Sequence, residues 1–380
     1  MKEGWEMKQL GEVSKILNGG TPKTKVPEYW NGKINWITPK DLGKLQNKYV
    51  FETPRKITEL GLNKSSAKLF IENSIILSTR APIGHLAINK VPISTNQGCK
   101  GIVPIKGLEV HYLFYFLKLN IKLLNDLGTG TTFKELSTKA LSSVLIPIPP
   151  LSEQKAIVKI LNETFAKIDR AKANIEKNIA NAKELFQSKL NEIFSQRGDG
   201  WEERSLGEVC ENLDRKRVPI TKAKRVKGEI PYYGASGIVD YVADFLFDED
   251  LLLVSEDGAN LLARTYPIAF SISGKTWVNN HAHVLKFQNM ESQKFIEYYL
   301  NSIKLDDYVS GMAQPKLNQR KLNSIKVPFP EFKKQQAINN LINRLSHYKS
   351  SIITLSEKKL INLEELKKSL LQKAFAGELT

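Results

Sequence analysis

Two long stretches of the chain place apolar residues at steps of three and four, the signature of helices that pack along one face. The first follows Pro147, Pro149 and Pro150, which favour extended backbone and stop a strand. Ser152 then opens a Ser-Glu-Gln helix start, and no proline intervenes to about Arg197. Its apolar positions are Leu161, Phe165, Ile168, Ile175, Ile179, Ala182, Phe186 and Ile193. The second stretch follows Pro328-Phe329-Pro330, runs through Leu341, Leu345, Tyr348, Ile352, Leu355, Leu363, Leu366 and Leu370, and stops at Ala376-Gly377. Each pattern predicts a helix of about 45 residues, ~65 Å long, whose seam packs on another helix as a coiled coil. The rest of the chain alternates short apolar runs at 75–77, 251–254 and 283–287 with helical patterns at 110–125 and 292–304. These predict small α+β domains.

The pattern is also repeated. Gly4-Trp5-Glu6-Met7-Lys8-Gln9-Leu10-Gly11-Glu12-Val13 returns 196 positions on as Gly200-Trp201-Glu202-Glu203-Arg204-Ser205-Leu206-Gly207-Glu208-Val209. A second set matches at offset 181: Leu136 with Leu317, Leu141 with Leu322, Pro147 with Pro328, Pro149 with Pro330 and Gln154 with Gln335, continuing to Phe194 with Phe375. The first copy is therefore 15 residues longer between these ends, and its intervening stretch shows little resemblance to the second. A fixed frame holds two different inserts. The segments read as 1–150, 151–197, 198–331 and 332–380. If the helices lie antiparallel, the units are related by a pseudo-twofold axis and the termini are neighbours.

Charge changes the picture next. The 56 Lys+Arg exceed the 40 Asp+Glu by +16 over 380 residues, which points to a polyanionic partner, nucleic acid first. At 41% hydrophobic residues the chain is an ordinary globular protein. Cys99 and Cys210 have no metal-ligand spacing, which fits a reducing compartment. Neither a signal peptide nor a run of ~18 apolar residues is seen, so a cytoplasmic protein with no membrane partner is expected.

These residues together resemble the specificity subunits of type I restriction-modification systems, over essentially the whole chain. The resemblance rests on the duplicated Trp-Glu starts, on Gly19-Gly20-Thr21-Pro22 followed by Trp36-Ile37-Thr38-Pro39-Lys40-Asp41-Leu42, and on Ser94-Thr95-Asn96-Gln97-Gly98. It rests also on Pro147-Ile148-Pro149-Pro150-Leu151-Ser152-Glu153-Gln154, on Trp277-Val278-Asn279-Asn280-His281-Ala282-His283-Val284, and on the segment from Leu370 to Leu379. Phe332-Lys333-Lys334-Gln335-Gln336 departs from the family's Leu-Ser-Glu-Gln-Gln. The resemblance implies two target-recognition domains separated by the antiparallel helix pair, each reading half of a bipartite site in double-stranded DNA. It also implies a non-catalytic subunit assembled with two adenine methyltransferase subunits and, for cleavage, with ATP-driven restriction (translocase) subunits. No cofactor, metal or catalytic residue is expected.

DNA contact is expected from cations and amides in the inserts. In the second insert Arg215, Lys216, Arg217, Lys222, Lys224, Arg225 and Lys227 form a basic run suited to phosphates, unless it is simply a solvated face. Tyr232 and Tyr233 follow in a turn that either reaches a groove or packs in the core, and Lys275 and Asn279 flank Trp277. In the first insert Thr21, Lys23 and Lys25 lie on a flexible polar loop, with Lys40 further on. Arg80 can bond guanine and Asn96 and Gln97 adenine edges, although a structural salt bridge is the stronger of the two readings for Arg80, and structural roles weigh similarly against the two amides. The Thr129–Lys134 and Ser310–Lys316 turns match at offset 181 and bring Lys134 and Lys316 toward a backbone or serve as connectors.

Two other classes compete. A self-contained DNA-modifying enzyme needs an Asp/Asn-Pro-Pro-aromatic loop, and Ile148-Pro149-Pro150-Leu151 lacks both flanking groups. Ser273-Gly274-Lys275-Thr276 imitates a P-loop end, but Ala269 stands where its first glycine belongs. Glu357-Lys358-Lys359 sits on a helix without a partner aspartate, and His281 and His283, on one strand face, show no third metal ligand. A protein-binding coiled-coil scaffold explains the helices but neither the charge nor two divergent inserts.

Overall fold

The computed structural model describes all residues except 1, 81, 131–133, 197–199 and 312–313. By compactness the chain forms two units, Met1–Asn174 with Lys359–Thr380, and Ile175–Lys358. The two long helices, Leu151–Ser195 and Phe332–Ala376, are 45 residues each, and each unit takes part of both.

The first unit holds strands β1 (Glu6–Gln9), β2 (Ser14–Asn18), β3 (Trp30–Ile37), β4 (Tyr49–Val50), β5 (Arg55–Ile57), β6 (Ile75–Ser78), β7 (Leu86–Asn89), β8 (Ile93–Thr95), β9 (Cys99–Pro104) and β10 (Leu145–Ile148). They pair as β2-β9-β6-β7-β4, β5-β3-β8 and the ribbon β1-β10. The second unit holds β11 (Trp201–Ser205), β12 (Glu211–Asn212), β13 (Lys227–Gly234), β14 (Gly237–Val242), β15 (Phe247–Asp248), β16 (Leu251–Ser255), β17 (Ala269–Ile272), β18 (Lys275–Val278), β19 (Ala282–Lys286) and β20 (Lys326–Pro330). These pair as β12-β19-β16-β17, β14-β13-β18-β15 and β11-β20.

The inserts, so unlike in sequence, share one topology. The order β2-β9-β6-β7 recurs as β12-β19-β16-β17, and the parallel pair β3-β8 recurs as β13-β18. Their offsets drift, from 196 at Ile37 and Tyr233 to 177 at Ser78 and Ser255 and 183 at Thr95 and Val278, which hides the likeness from a fixed-offset comparison.

The frame is built the same way twice. The proline-rich strands β10 and β20 each pair with one partner only, the Trp-Glu strands β1 and β11, so the missing proline N–H groups break no inner ladder. A capping box then turns each chain into a short helix, Gln9 with Glu12 and Ser205 with Glu208. The start of each long helix is tied by a buried glutamine. Gln154 Nε2 donates to the Pro149 carbonyl at 2.9 Å and Gln335 Nε2 to the Pro330 carbonyl at 2.7 Å. Their Oε1 atoms accept from the Glu109 amide and the Ser292 hydroxyl, which start the main helix of each insert, Val110–Leu119 and Met290–Ser302. Gln335 thus does the work of Gln154 despite the altered residues before it.

Within each unit the long-helix segments run antiparallel. In the first, Asp169 pairs with Lys367 and Lys172 with Glu364, over a core containing Leu161, Phe165, Ile168, Leu371 and Ala374. Phe375 packs on Tyr112 and Phe116. In the second, Lys349 lies over the Phe186 ring, and Phe194 packs on Phe295 and Tyr299. The second helix corrects the expected seam. Its inward positions in the second unit are Ile342, fully buried, and Ser356, while Tyr348, Ile352 and Leu355 are 63%, 44% and 61% exposed. The more apolar stripe faces out because the inner line, one residue over, is the one that meets the first helix.

Lys2 Nζ lies 2.8 Å from the Thr380 carbonyl, and Glu153 holds Lys2, Trp5 and Thr380 together. The chain ends are neighbours, as expected. A permutant joining Thr380 to Met1 through a short glycine-serine linker, cut within 197–200, should fold with the melting temperature of the parent. An insoluble or molten product on circular dichroism would count against the duplicated frame. Among the described residues no helix is long and apolar enough to cross a membrane.

Candidate nucleic-acid interface

In the first unit the residues of interest gather where β3, β8 and β6 end. The Asn96 amide donates to the Ile37 carbonyl, and Asn96 Oδ1 accepts from the Gly98 amide, closing a turn at the end of β8. The Gly19-Gly20 loop lies flat on this turn. A Cβ on Gly19 would stand 2.0 Å from the Asn96 carbonyl oxygen, and one on Gly20 2.3 Å from the Ala67 amide, so neither position accepts a side chain. Trp36 Nε1 donates to the Gly20 carbonyl and Thr21 Oγ1 to Gln97 Oε1. The loop expected to be flexible is pinned.

Beside it, a Thr38–Asp41 capping box starts the turn that presents Lys40, and Lys40 and Asn96 line one shallow cleft. The Gly98 carbonyl accepts from the Thr79 and Arg80 amides. Arg80 Nε lies 3.1 Å from Glu135, next to Lys134. Thr21, Lys40, Arg80, Asn96, Gln97 and Lys134 therefore share one surface, with the exposed Lys23 and Lys25 on the adjoining loop. Residues 131–133 and 312–313, part of the two matched turns, lie outside the described residues.

The second unit builds the same platform with other side chains. The Asn279 amide donates to the Tyr233 carbonyl and its Oδ1 accepts from the His281 amide, repeating the Asn96 turn. The Glu256 amide bonds the His281 carbonyl and the Leu317 amide the Glu256 carbonyl, as Thr79 and Leu136 do in the first. The bridge Arg80–Glu135 corresponds to Asp257–Lys316, with the charges exchanged. His281, 53% exposed and 2.8 Å from Asp257, stands where Gly98 stands in the first unit. Sequence reasoning set His281 aside; the match of Asn96-x-Gly98 to Asn279-x-His281 would have found it.

Several expected contacts are corrected. Tyr232 is 1% exposed, its hydroxyl accepting from the Ile220 amide, and it serves the core. Asn279 is buried and spent on its turn. Tyr233 packs on Phe270. Arg217 turns inward to Glu256 at 2.7 Å and to the Ala282 carbonyl, and Arg225 pairs with Asp240 at 2.8 Å over the Tyr232 ring. With Trp277 Nε1 bonded to the Val218 carbonyl, these anchors fix the basic segment. Arg215, Lys216, Lys222, Lys224, Lys227, Lys275 and Lys316 remain exposed, Lys316 bonding Glu256 at 3.2 Å. His281 precedes β19 while His283 lies within it, so the two do not share a strand face as expected.

His283 also has the carboxylate neighbours that its sequence did not reveal. Its Nδ1 is 2.6 Å from Asp214 and 3.8 Å from Glu256, and its Nε2 is 2.7 Å from the Leu317 carbonyl. Burial alone would raise the Asp214 pKa. The bonds from His283 and the Val284 amide, with the Arg217 charge, hold it below the usual carboxylate value. Three such groups have metal-ligand chemistry, but here both ring nitrogens already face acceptors and Arg217 supplies the cation. The group works as an ion-pair lock between the basic segment and the sheet.

One strand-end platform is thus built twice, with different side chains and exposed cations on each copy. The chain belongs to the type I restriction modification DNA specificity domain family, whose pattern matches residues 2–181 and 198–365. It is a specificity subunit, and the catalytic activities of such systems belong to other subunits. It is 28% identical to the type I restriction enzyme MjaIX specificity subunit of Methanocaldococcus jannaschii over 99% of this chain and 93% of that one. Over 43% of this chain and 41% of the relative it is 36% identical to the EcoR124I/EcoR124II specificity subunit of Escherichia coli. In fold it is similar to the HsdS subunit from Thermoanaerobacter tengcongensis, with TM-score 0.65 and 18% identity, covering 100% of this chain and 98% of that one. A chain from a study of type I R-M complex assembly and conformational transition gives TM-score 0.78 at 18% identity, covering 100% and 99%.

Proposed function

We propose that each insert reads one half of a bipartite, asymmetric double-stranded DNA site, that the long helices set the spacer, and that they dock two methyltransferase subunits, with restriction subunits joining for cleavage. The recognition domains are 1–150 and 198–331. The observation that carries this reading is the platform itself. One backbone arrangement presents Gln97, Gly98, Arg80 and Glu135 in one copy and Asn280, His281, Asp257 and Lys316 in the other. Two readers of one geometry and different chemistry suit two unlike half-sites. The exposed cations supply sequence-independent phosphate attraction.

Sequencing methylated adenines in a host carrying this subunit and its methyltransferase should yield one interrupted asymmetric motif. Methylation without any such motif would sink the reading. Adding one turn within 165–190 is expected to lengthen the spacer and leave both half-sites unchanged, because the readers lie outside that segment. Altered half-sites at the old spacing would contradict the ruler.

A further inference from the structure

In the first unit a cleft of about 580 Å³ runs between Lys48-Tyr49, the Val110–Leu119 helix and the first long helix. Lys48 Nζ donates to Asn162 Oδ1 at 2.7 Å and to the Tyr115 hydroxyl at 3.2 Å, and it lies over the Tyr49 and Tyr115 rings. Lys118 stands at the same cleft, exposed at its mouth. Among the described residues neither lysine makes a direct ion pair, although Asp169 also lines the cleft, because the nearby acids have other direct partners. Glu109 accepts from His111 and the Tyr112 amide, Asp169 pairs with Lys367, and Glu364 with Lys172. Burial first, then the charge of Lys118, holds Lys48 below the ordinary lysine value. Three lysines, Lys48, Lys118 and Lys367, thus line one cleft with a single lining carboxylate, Asp169, which Lys367 already pairs, so the cleft carries a surplus of positive charge.

We propose that this cleft binds a phosphate group between Lys48 and Lys118. Its source is either a DNA backbone or a phosphorylated small molecule. Gly43 and His85 line both this cleft and the neighbouring one that holds Lys40 and Asn96, so the phosphate lies next to the proposed DNA surface. The DNA source rests on the DNA-reading function proposed above; the phosphate chemistry does not.

The test has two arms. Inorganic phosphate is titrated calorimetrically into the full-length chain against chloride of equal ionic strength, with Lys118→Gln and Lys48→Gln. Saturable binding in the parent and its loss in both variants is the expected result. Lys118→Gln changes a side chain at the mouth and keeps the fold, which circular dichroism checks, so the outcome does not depend on the more deeply held Lys48. In the second arm, the complex with methyltransferase subunits binds duplexes over a salt series. If DNA supplies the phosphate, Lys118→Gln weakens every duplex alike and flattens the log–log salt slope by about 0.9. Phosphate binding with an unchanged slope assigns the cleft to a small molecule. A parent chain that shows no saturable phosphate binding, with a variant slope equal to the parent's, overturns the site. A parent complex that binds no duplex would instead undo the DNA reading, and the phosphate titration would still decide the cleft.

Discussion

Arg217→Ala should destabilise the second unit by about 3–5 kcal/mol, the loss expected when one partner of a buried charge group is removed. Asp214 and His283 are 5% and 1% exposed in their side chains and Glu256 12%. Arg217 reaches Glu256 at 2.7 Å and donates to the Asp214 and Ala282 carbonyls. Alanine would leave two largely buried carboxylates with only the His283 imidazole and the exposed Lys316 to offset them. For a unit of this size the midpoint of thermal unfolding should fall by roughly 10 °C, and the exposed cations of 215–227 should lose their anchor. Arg217→Lys should recover only part of the loss, since an ammonium cannot reach the three acceptors as a planar guanidinium does. Calorimetry of both variants checks the order, and an alanine variant as stable as the parent would refute the lock. The pH dependence has a definite sign. Asp214 is depressed in the folded state, so its stabilising contribution is present above its unfolded value of about 3.9 and lost as pH falls through the lower folded value. An Asp214→Asn variant should therefore show a shallower acid transition below about pH 4.

The frame was legible in the sequence because its signals are local. Prolines without amides, Trp-Glu starts and a glutamine at the fourth place of each long helix act within a few residues of themselves. The shared topology of the inserts was not legible, because insertions between strands shift the offset from 196 to 177 and then to 183, and no single register aligns them. Composition found the basic segment but could not tell which cations face outward. Arg217 and Arg225 are recruited inward by Glu256 and Asp240, partners distant in sequence. Tyr232 and Asn279 likewise have types suited to a groove, yet the register of β13 with β18 puts one in the core and the other in a turn.

The displaced seam leads to the second large effect. A helix whose most apolar line faces its intramolecular partner needs no other, but here Leu341, Tyr348, Ile352 and Leu355 form a stripe at heptad spacing that is 38–63% exposed. The inner line, besides Ile342 and Ile353, uses Ser346, Lys349 and Ser356, small or long-stemmed residues. On the function proposed above, this stripe seats a helix of the methyltransferase subunit. Tyr348→Glu with Ile352→Glu should leave the free chain folded, with stability changed by only about 0.5 kcal/mol, as for surface substitutions. It should weaken capture of the methyltransferase subunit at least about 100-fold, the loss of two apolar anchors of about 2 kcal/mol or more each. Adenine methylation at the site proposed above should fall to background in the same host. Ile342→Glu, one position from the stripe, should instead prevent folding, because that side chain is fully buried. Sedimentation of the purified subunit with its methyltransferase separates the cases: if the double variant still assembles at parental affinity, the outward stripe is not the docking surface.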